Sequence, residues 1–286
     1  MAPNPKDVDG LAVEGIVVRF GGLVAVDGQT LQAPRGRITG LIGPNGAGKT
    51  TTFNACTGLV RPAAGTVHLF GEDVTHAPPQ ARARKGLGRT FQRMELFDTL
   101  TVRENVKLGR EAAMAGANPL KHIRASIAQT NTLRKLTESS LEMCGIGHLA
   151  NRRPADLSTG QRRLVELARC IAGEFPVMLL DEPSSGLDGK ETEAFGKILR
   201  DVVAERNVAI LIVEHDMALV MSTCNYIHVL DFGKPIFEGT PSEVANSPVV
   251  RAAYLGSEAE GLASADDDLV LAHSGDMSAV PMSEES

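Results

Sequence analysis

Short apolar runs broken by glycine occupy about the first seventy residues of the chain. Residues 16–20, 23–26 and 66–70 are rich in β-branched and aromatic side chains, a pattern that predicts strands, several of them joined as hairpins. Residues 38–42 form a further short apolar run that ends at a glycine-rich loop. The N-terminal part is therefore expected to be mostly β-structure.

Two later runs, residues 177–180 and 208–213, are apolar throughout. Strands that are apolar on both faces are typical of a parallel sheet covered by helices. The polar residues that follow the two runs are Asp181, Glu182, Glu214 and His215. Ligands bind outside the carboxyl ends of such sheets, so we expect these tips to converge with Lys49 on one crevice.

The middle of the chain has helix-forming sequence with many basic residues. Thr101 and Glu104 have the spacing of a capping box, which predicts a helix start. Residues 112–120, which include a glycine and a proline, predict a loop, and residues 125–144 have the apolar spacing of an amphipathic helix. Residues from about 93 to 172 are therefore predicted to be a mostly helical insertion.

Composition narrows the class of protein. With 286 residues and 43% hydrophobic content, the chain can form one large domain or two modest ones. It has no run of eighteen apolar residues and a polar first decapeptide, which predicts neither a transmembrane helix nor a secretory signal and favours a cytoplasmic location. Its four cysteines are scattered without a C-x-x-C pair, so we expect buried, reduced thiols.

Charge is distributed unevenly along the chain. The net charge is -6, but residues 257–286 hold eight acidic residues and no Lys or Arg, which leaves +2 for the remainder. A strongly basic surface for nucleic acid is therefore not expected. Residues 257–286 are predicted to be an acidic disordered tail, with a regulatory or partner-binding role as the alternative to an inert extension.

A glycine-rich loop follows the strand at residues 38–42 and has the pattern G-x-x-x-x-G-K-[ST]. Its residues are Gly43, Pro44, Asn45, Gly46, Ala47, Gly48, Lys49 and Thr50. A helix is predicted to open at Thr50 and Thr51, so backbone N–H groups and the helix N-terminus can hold phosphate. Lys49 can reach the β- and γ-phosphates, and the Thr50 hydroxyl can bind Mg²⁺. This loop predicts a nucleoside triphosphate site.

Two carboxylates complete the chemistry expected at this site. Asp181, at a strand tip, is placed to bind Mg²⁺ directly or through water. Glu182 points to the other side of the backbone, where it can orient and deprotonate an attacking water. Phe20 can stack on an adenine ring, although a core phenylalanine is an equal alternative.

A second anion site is predicted farther along the chain. Ser158 and Gln161 have capping-box spacing at the start of a helix that runs through residues 162–169. Backbone N–H groups and a hydroxyl at a helix N-terminus can hold phosphate. One nucleotide already has its cradle in the glycine loop, so the second site needs an explanation.

The ordered set of motifs resembles the nucleotide-binding subunit of an ATP-binding cassette (ABC) transporter over residues 11–256. The motifs are residues 43–50, Gln92, residues 157–161, residues 177–182, residues 185–188 and His215. The resemblance implies an α/β fold, with a P-loop NTPase (RecA-like) core, an antiparallel β-subdomain and the inserted α-helical subdomain. It also explains the second anion site, because in this family two cassettes pair head to tail around ATP.

The resemblance assigns roles to individual residues. Phe20 matches the adenine-stacking aromatic, usually a tyrosine. Gln92 matches a contact to Mg²⁺ and water whose loop senses the membrane partner, and His215 matches the contact to the γ-phosphate. The residues expected to complete the site of the paired cassette are Ser158, Gly160, Gln161 and Asp188. Thr159 stands where the family usually has glycine.

Finer features are similar to the ATPase subunits of branched-chain amino-acid importers, at residues 88–92, 100–106, 238–241 and 253–256. This likeness implies a second ABC ATPase subunit, identical or different, and integral membrane permease subunits as partners, with the chain at the inner face of the membrane. Cassettes for urea, amides or lipopolysaccharide share many of these features. Two rivals are a soluble ABC ATPase of translation or DNA repair and a P-loop small-molecule kinase. The first usually has two fused cassettes or a long coiled coil, and the second lacks the signature at residues 157–161.

Overall fold

A computed structural model describes residues 4–90, 95–115 and 127–254. Its strands are β1 (Gly10–Phe20), β2 (Leu23–Pro34), β3 (Arg37–Ile42), β4 (Ala64–Leu69), β5 (Glu72–Asp73), β6 (Leu87–Arg89), β7 (Val177–Asp181), β8 (Ala209–Val213), β9 (Tyr226–Asp231) and β10 (Lys234–Gly239). Its α-helices are α1 (Lys49–Thr57), α2 (Pro79–Arg84), α3 (Val102–Ala115), α4 (Ile127–Met143), α5 (Thr159–Ala172), α6 (Gly189–Arg206), α7 (Met217–Thr223) and α8 (Pro241–Asn246).

A six-stranded sheet forms the centre of the molecule, in the order β10-β9-β3-β8-β7-β6. All its neighbouring strands are parallel except β10, which runs antiparallel to β9. Every residue of β7 and β8 is buried, as expected for strands covered on both faces. Val213 lies opposite both Leu41 and Asp181, so β3, β7 and β8 end at one edge of the sheet.

An antiparallel sheet of four strands, β2-β1-β4-β5, covers one face of the central sheet. Apolar residues of both sheets and of α1 form one core there, with Leu31, Phe53 and Leu211 among its members. A second core on the opposite face joins the central sheet to the helices from α3 onward. The glycine loop between β3 and α1 therefore lies at the junction of the two sheets.

The guanidinium of Arg82 on α2 fixes the far end of α1. It is almost fully buried, and its Nη1 donates to the carbonyl oxygens of Ala55 and Cys56, at 2.7 Å each. Carbonyl groups in the last turn of a helix have no partner within the helix, so a buried cation that satisfies two of them stabilises that end. α1 therefore has a fixed position below the glycine loop.

Several local predictions can be compared with this structure. The four cysteines are buried, which confirms the prediction that they lie in the core. The loop predicted from Ala112 is wrong at its start, because α3 continues to Ala115 through residues that favour helix. None of the helices in the described ranges has the length and apolar character needed to cross a membrane. Residues 257–286, predicted to be a disordered tail, lie outside the described residues.

Candidate functional site

The glycine loop is shaped by close contacts with neighbouring backbone. Gly43 and Gly48 have φ values of 152° and 97°, which side chains rarely allow. A Cβ on Gly43 would lie 2.1 Å from the carbonyl oxygen of Leu230, and one on Gly48 would lie 2.7 Å from that of Ala25. Only glycine fits these two positions, so β9 and β2 hold the loop in its curled form.

The N-terminus of α1 opens into this loop. Gly48 is its N-cap residue and supplies no side chain to bond the first N–H groups of the helix. Those N–H groups therefore stay directed toward a ligand, as in helix termini that bind phosphate. Thr50 is exposed and Thr51 is half-buried in the first turn, and Asn45 and Gly46 are exposed in the loop.

Lys49 lies inside the loop with its side chain only 7% exposed. Its Nζ donates to the carbonyl oxygens of Gly43 and Pro44, at 2.6 and 2.9 Å. Burial lowers the pKa of Lys49, while the charges of Glu182 and Asp181 act in the opposite direction. The ammonium is thus held at the floor of the loop, within the electrostatic field of the two carboxylates at the tip of β7.

Asp181 ends β7 and is 2% exposed. Its Oδ2 lies 3.3 Å from Nη2 of Arg89, while its Oδ1 is buried and has no hydrogen-bond partner among the residues that the structure describes. Burial raises the pKa of Asp181, and the positive charge of Arg89 opposes that rise. A buried oxygen without a partner is a suitable ligand for a hard cation, directly or through water. The oxygen-donor chemistry of Asp181 and the exposed Thr50 hydroxyl therefore fits Mg²⁺.

Arg89 lies at the end of β6 and makes several further contacts. Its Nη1 donates to Oδ1 of Asn54 at 2.9 Å and to Oγ1 of Thr57 at 3.3 Å, both on α1. Its guanidinium also lies 4.7 Å from the centre of the Phe53 ring. Arg89 thus joins the tip of β7 to the helix that begins at the glycine loop.

Glu182 and His215 lie together beyond the tips of β7 and β8. Glu182 has a φ of 45°, which is uncommon for a residue with a side chain. Its N–H donates to the carbonyl oxygen of Val213 at 2.9 Å. Its Oε1 lies 3.9 Å from Nδ1 of His215, whose side chain is 55% exposed. A carboxylate and an imidazole therefore face the space beside the glycine loop.

Glu214 holds these two tips in place. It is fully buried, and its Oε1 accepts from the N–H of Ser184 at 2.8 Å, while Oε2 accepts from the N–H of His215 at 3.1 Å. A buried carboxylate bonded to both segments fixes the backbone that follows Glu182 relative to the backbone at His215.

Phe20 ends β1 with its ring 52% exposed, next to Leu23 across the turn. This exposure excludes the alternative that Phe20 is a core residue. The ring is therefore available for stacking on a flat ligand.

The second predicted anion site lies at the start of α5. Ser158 and Gln161 form the predicted capping box, with both reciprocal hydrogen bonds present. Asp188 caps α6 in the same way, with Glu191 as its partner. A Cβ on Gly160 would lie 2.5 Å from Oε1 of Glu191, so the two helix starts are in contact.

The predicted residues thus form two groups. The first is the glycine loop with the tips of β7 and β8, bounded by β2 and β9. The second is the paired starts of α5 and α6, and α5 packs against α3 and α4. Gln92 lies outside the described residues. Sequence reasoning gave no role to Arg89 or Glu214, although both were read as parts of motifs.

Comparison with known proteins identifies the class. Residues 26–185 match the ABC transporter family, and residues 234–260 match the family described as branched-chain amino acid ATP-binding cassette transporter. The chain belongs to the ABC transporter family and is an ATP-binding subunit that hydrolyses ATP.

Two relatives narrow the group within that family. The high-affinity branched-chain amino acid transport ATP-binding protein BraF of Pseudomonas aeruginosa is 39% identical over 249 residues, which are 86% of this chain and 97% of BraF. The protein of the same description, LivG, from Escherichia coli is also 39% identical, with the same coverage of both chains. Within its family, the chain is thus similar to ATP-binding proteins of branched-chain amino acid transport.

Solved structures confirm the predicted fold class. The ADP conformation of MJ1267, an ATP-binding cassette of an ABC transporter, superposes with a TM-score of 0.75 at 29% identity, covering 86% of this chain and 98% of MJ1267. The cassette MJ0796, described as a dimeric post-hydrolysis state bound to ADP and phosphate, gives a TM-score of 0.67 at 25% identity, covering 81% of this chain and 98% of MJ0796.

Proposed function

We propose that this chain hydrolyses ATP to drive branched-chain amino acids through separate membrane permease subunits into the cell. The observation that carries the hydrolytic part is the carboxylate pair at the tip of β7, which lies within the electrostatic field of Lys49 beside the glycine loop. The names of BraF and LivG and the family match at residues 234–260 support the choice of cargo.

Each residue of the first group has a role in this proposal. The loop N–H groups and Lys49 bind the phosphates, and Phe20 stacks on the adenine ring. Thr50, Asp181 and Gln92 would hold Mg²⁺, which would neutralise charge on the phosphates. Glu182 takes a proton from the attacking water, and His215 contacts the γ-phosphate.

The second group has its role in a paired cassette. At the start of α5, Gly160 offers its N–H and Ser158 its hydroxyl proton for a γ-phosphate, while Gln161 completes the capping box beside them. Asp188 lies at the adjoining seam. The dimeric state described for the similar cassette MJ0796 supports a pair of cassettes, which the family resemblance implies to be arranged head to tail. The partner is a second ABC ATPase subunit, identical or different.

An apolar cavity of about 460 Å³ favours a docking place for the permease. Leu59 and Phe97 line it and are 56% and 54% exposed, so two large apolar side chains are open to solvent at one cavity. Arg89 also lines this cavity and contacts Asp181. We propose that a cytoplasmic segment of the permease occupies it, because that position would couple docking to the ATP site.

Glu182→Gln tests the hydrolytic role. The glutamine side chain of this variant cannot accept the proton of water. We therefore expect the turnover of ATP to fall by about a hundredfold or more, with unchanged affinity for ATP. Glu205→Gln, on the exposed side of α6, is the matched control. Near-normal turnover in the Glu182 variant would remove this residue from the role of base.

Transport itself requires a separate test. Permease subunits should co-purify with the chain from detergent extracts, and uptake of labelled leucine should disappear in cells whose only copy carries Glu182→Gln. Recovery of ribosomes or DNA in place of permeases would support the soluble rival. Loss of urea, amide or lipopolysaccharide transport with normal leucine uptake would contradict the proposed cargo.

A further inference from the structure

Glu166 is a buried acidic residue in the middle of α5, and nothing in the proposed catalytic roles uses it. Only 3% of its side chain is exposed. Burial raises the pKa of this carboxyl, and the N–H of Glu95 and the charges of Arg163 and Arg169 oppose that rise. A carboxylate kept in a helix at this cost calls for an explanation through its contacts.

Each oxygen of Glu166 faces a different part of the molecule. Oε1 accepts from the backbone N–H of Glu95 at 3.1 Å, and Oε2 accepts from Nη1 of Arg163 at 3.1 Å. Arg163 in turn donates through Nε to the carbonyl oxygen of Ser185 at 3.4 Å. One carboxylate therefore contacts the segment at Glu95 directly and the segment at Ser185 through one guanidinium.

Arg169 closes the arrangement on the other side. Its Nη1 donates to the carbonyl oxygen of Glu95 at 2.5 Å, and its Nη2 lies 3.9 Å from Oε1 of Glu166. Both polar groups of the Glu95 main chain are thus bonded to side chains of α5. Two hydrogen bonds to the main chain of one residue hold this segment in a single position on the helix.

Two of the segments connected by Glu166, α5 and the segment at Ser185, continue to the helix starts of the proposed paired site. α5 begins at the Ser158 cap, and Ser185 lies three residues before Asp188, the cap of α6. Glu95, Glu166 and Arg169 also line the apolar cavity assigned to the permease. The carboxylate therefore lies between that cavity and the two helix starts.

We propose that Glu166 is a positioning residue that fixes the starts of α5 and α6 relative to the segment at Glu95. The proposal rests on the proposed function, in which those helix starts complete the ATP site of a paired cassette. Glu166 itself touches no nucleotide. Its loss disturbs the helix starts and slows hydrolysis, while the glycine loop keeps its affinity for ATP.

Two variants of the full chain test this role. Glu166→Ala removes both bonds, and Arg163→Met leaves Glu166 in place but removes the connection to Ser185. In both, we expect kcat for ATP hydrolysis to fall by about tenfold with KM within about twofold. Glu166→Gln still accepts from Glu95 but has no charge for Arg163, so its kcat should be intermediate. Glu205→Gln is the control.

Hydrogen exchange measured by mass spectrometry separates positioning from a local packing role. Both main variants should show faster exchange at residues 183–188, about tenfold, besides any change next to the substituted residue. Exchange confined to residues 95 and 163–166, with kcat equal to that of the control, would overturn the proposal. If Glu166→Ala does not fold, Arg163→Met gives the same decision.

Failure of the positioning proposal can be distinguished from failure of the proposed function. Retained turnover in Glu182→Gln would contradict the proposed base without changing the exchange result. Normal exchange at residues 183–188 in the Glu166 and Arg163 variants would contradict positioning even where Glu182→Gln is inactive.

Discussion

Replacing Arg89 with Met separates the structural role of this guanidinium from its effect on Asp181. The substitution removes the ion pair of 3.3 Å to Asp181, the hydrogen bond of 2.9 Å to Asn54 and the contact of 4.7 Å with Phe53. Arg89 is 14% exposed and Asp181 is 2% exposed, so the pair is poorly screened by water. The variant therefore leaves a buried carboxylate without its cation.

The size of the effect follows from this burial. Removing one partner of a buried ion pair typically costs about 3–5 kcal/mol, and we take the lower end because Asp181 can bind a proton. For a domain of this size, about 3 kcal/mol lowers the melting temperature by about 6–12 °C. Arg84→Met, an exposed position on α2, should leave the melting temperature within about 1 °C.

The pH dependence of stability gives a sharper test. Burial raises the pKa of Asp181 above its usual 3.8, so folding favours the neutral form and the stability from this group is lost as pH rises through the folded pKa. Without the charge of Arg89, that pKa rises further. The gap in melting temperature between the variant and the wild type should therefore grow from acidic to neutral pH.

The same change should reach catalysis through Mg²⁺. A protonated Asp181 is a poor ligand, so Arg89→Met should need more Mg²⁺ for half-maximal hydrolysis, and the acid limb of its pH–rate profile should move to higher pH. Melting curves and Mg²⁺ titrations of ATP hydrolysis measure the two effects. A gap in melting temperature that is independent of pH, together with an unchanged Mg²⁺ requirement, would refute the reasoning.

Two further predictions concern Lys49 and His228. Lys49→Ala removes the cation at the floor of the glycine loop, so the affinity for ATP should fall about 10- to 100-fold in equilibrium binding, and unchanged affinity would contradict its role. His228 is buried, with Glu238 at 3.0 Å, and burial lowers its pKa below the usual 6.5. As pH falls below about 6.5, His228 therefore binds a proton in the unfolded chain before it does so in the folded chain. The free energy of unfolding decreases over this range, until pH falls through the folded pKa. Urea unfolding should show this loss reduced in His228→Leu, and an identical acid dependence would exclude His228 as its source.

The parts of the fold that could be predicted from sequence are those with a local cause. The capping boxes at Thr101 and Ser158 depend on residues three positions apart, and both are present. The composition of the apolar runs that form β7 and β8 was enough to predict that both strands are buried. The loop predicted from Ala112 was wrong where helix propensity continued to Ala115.

The parts that could not be predicted depend on contacts between distant segments. Arg89 meets Asp181 because β6 pairs with β7, which places Arg89 opposite Leu179 across about ninety positions of sequence. Glu166 appears in the sequence as one polar residue of an amphipathic helix. Its bond to Glu95, and its connection to Ser185 through Arg163, become visible only once the helix is packed.

The bracing of the glycine loop has a consequence for mutational surveys. The atoms nearest to a Cβ at Gly43 and Gly48 are main-chain carbonyl oxygens of Leu230 and Ala25, and the N–H of Gly233 donates to the carbonyl oxygen of Ala47 in the loop at 3.1 Å. Side-chain replacement leaves peptide carbonyls unchanged. Systematic alanine substitution would therefore not detect the carbonyl groups that confine the loop. The residues that carry these carbonyl groups are free to diverge among related chains as long as their backbone path is kept.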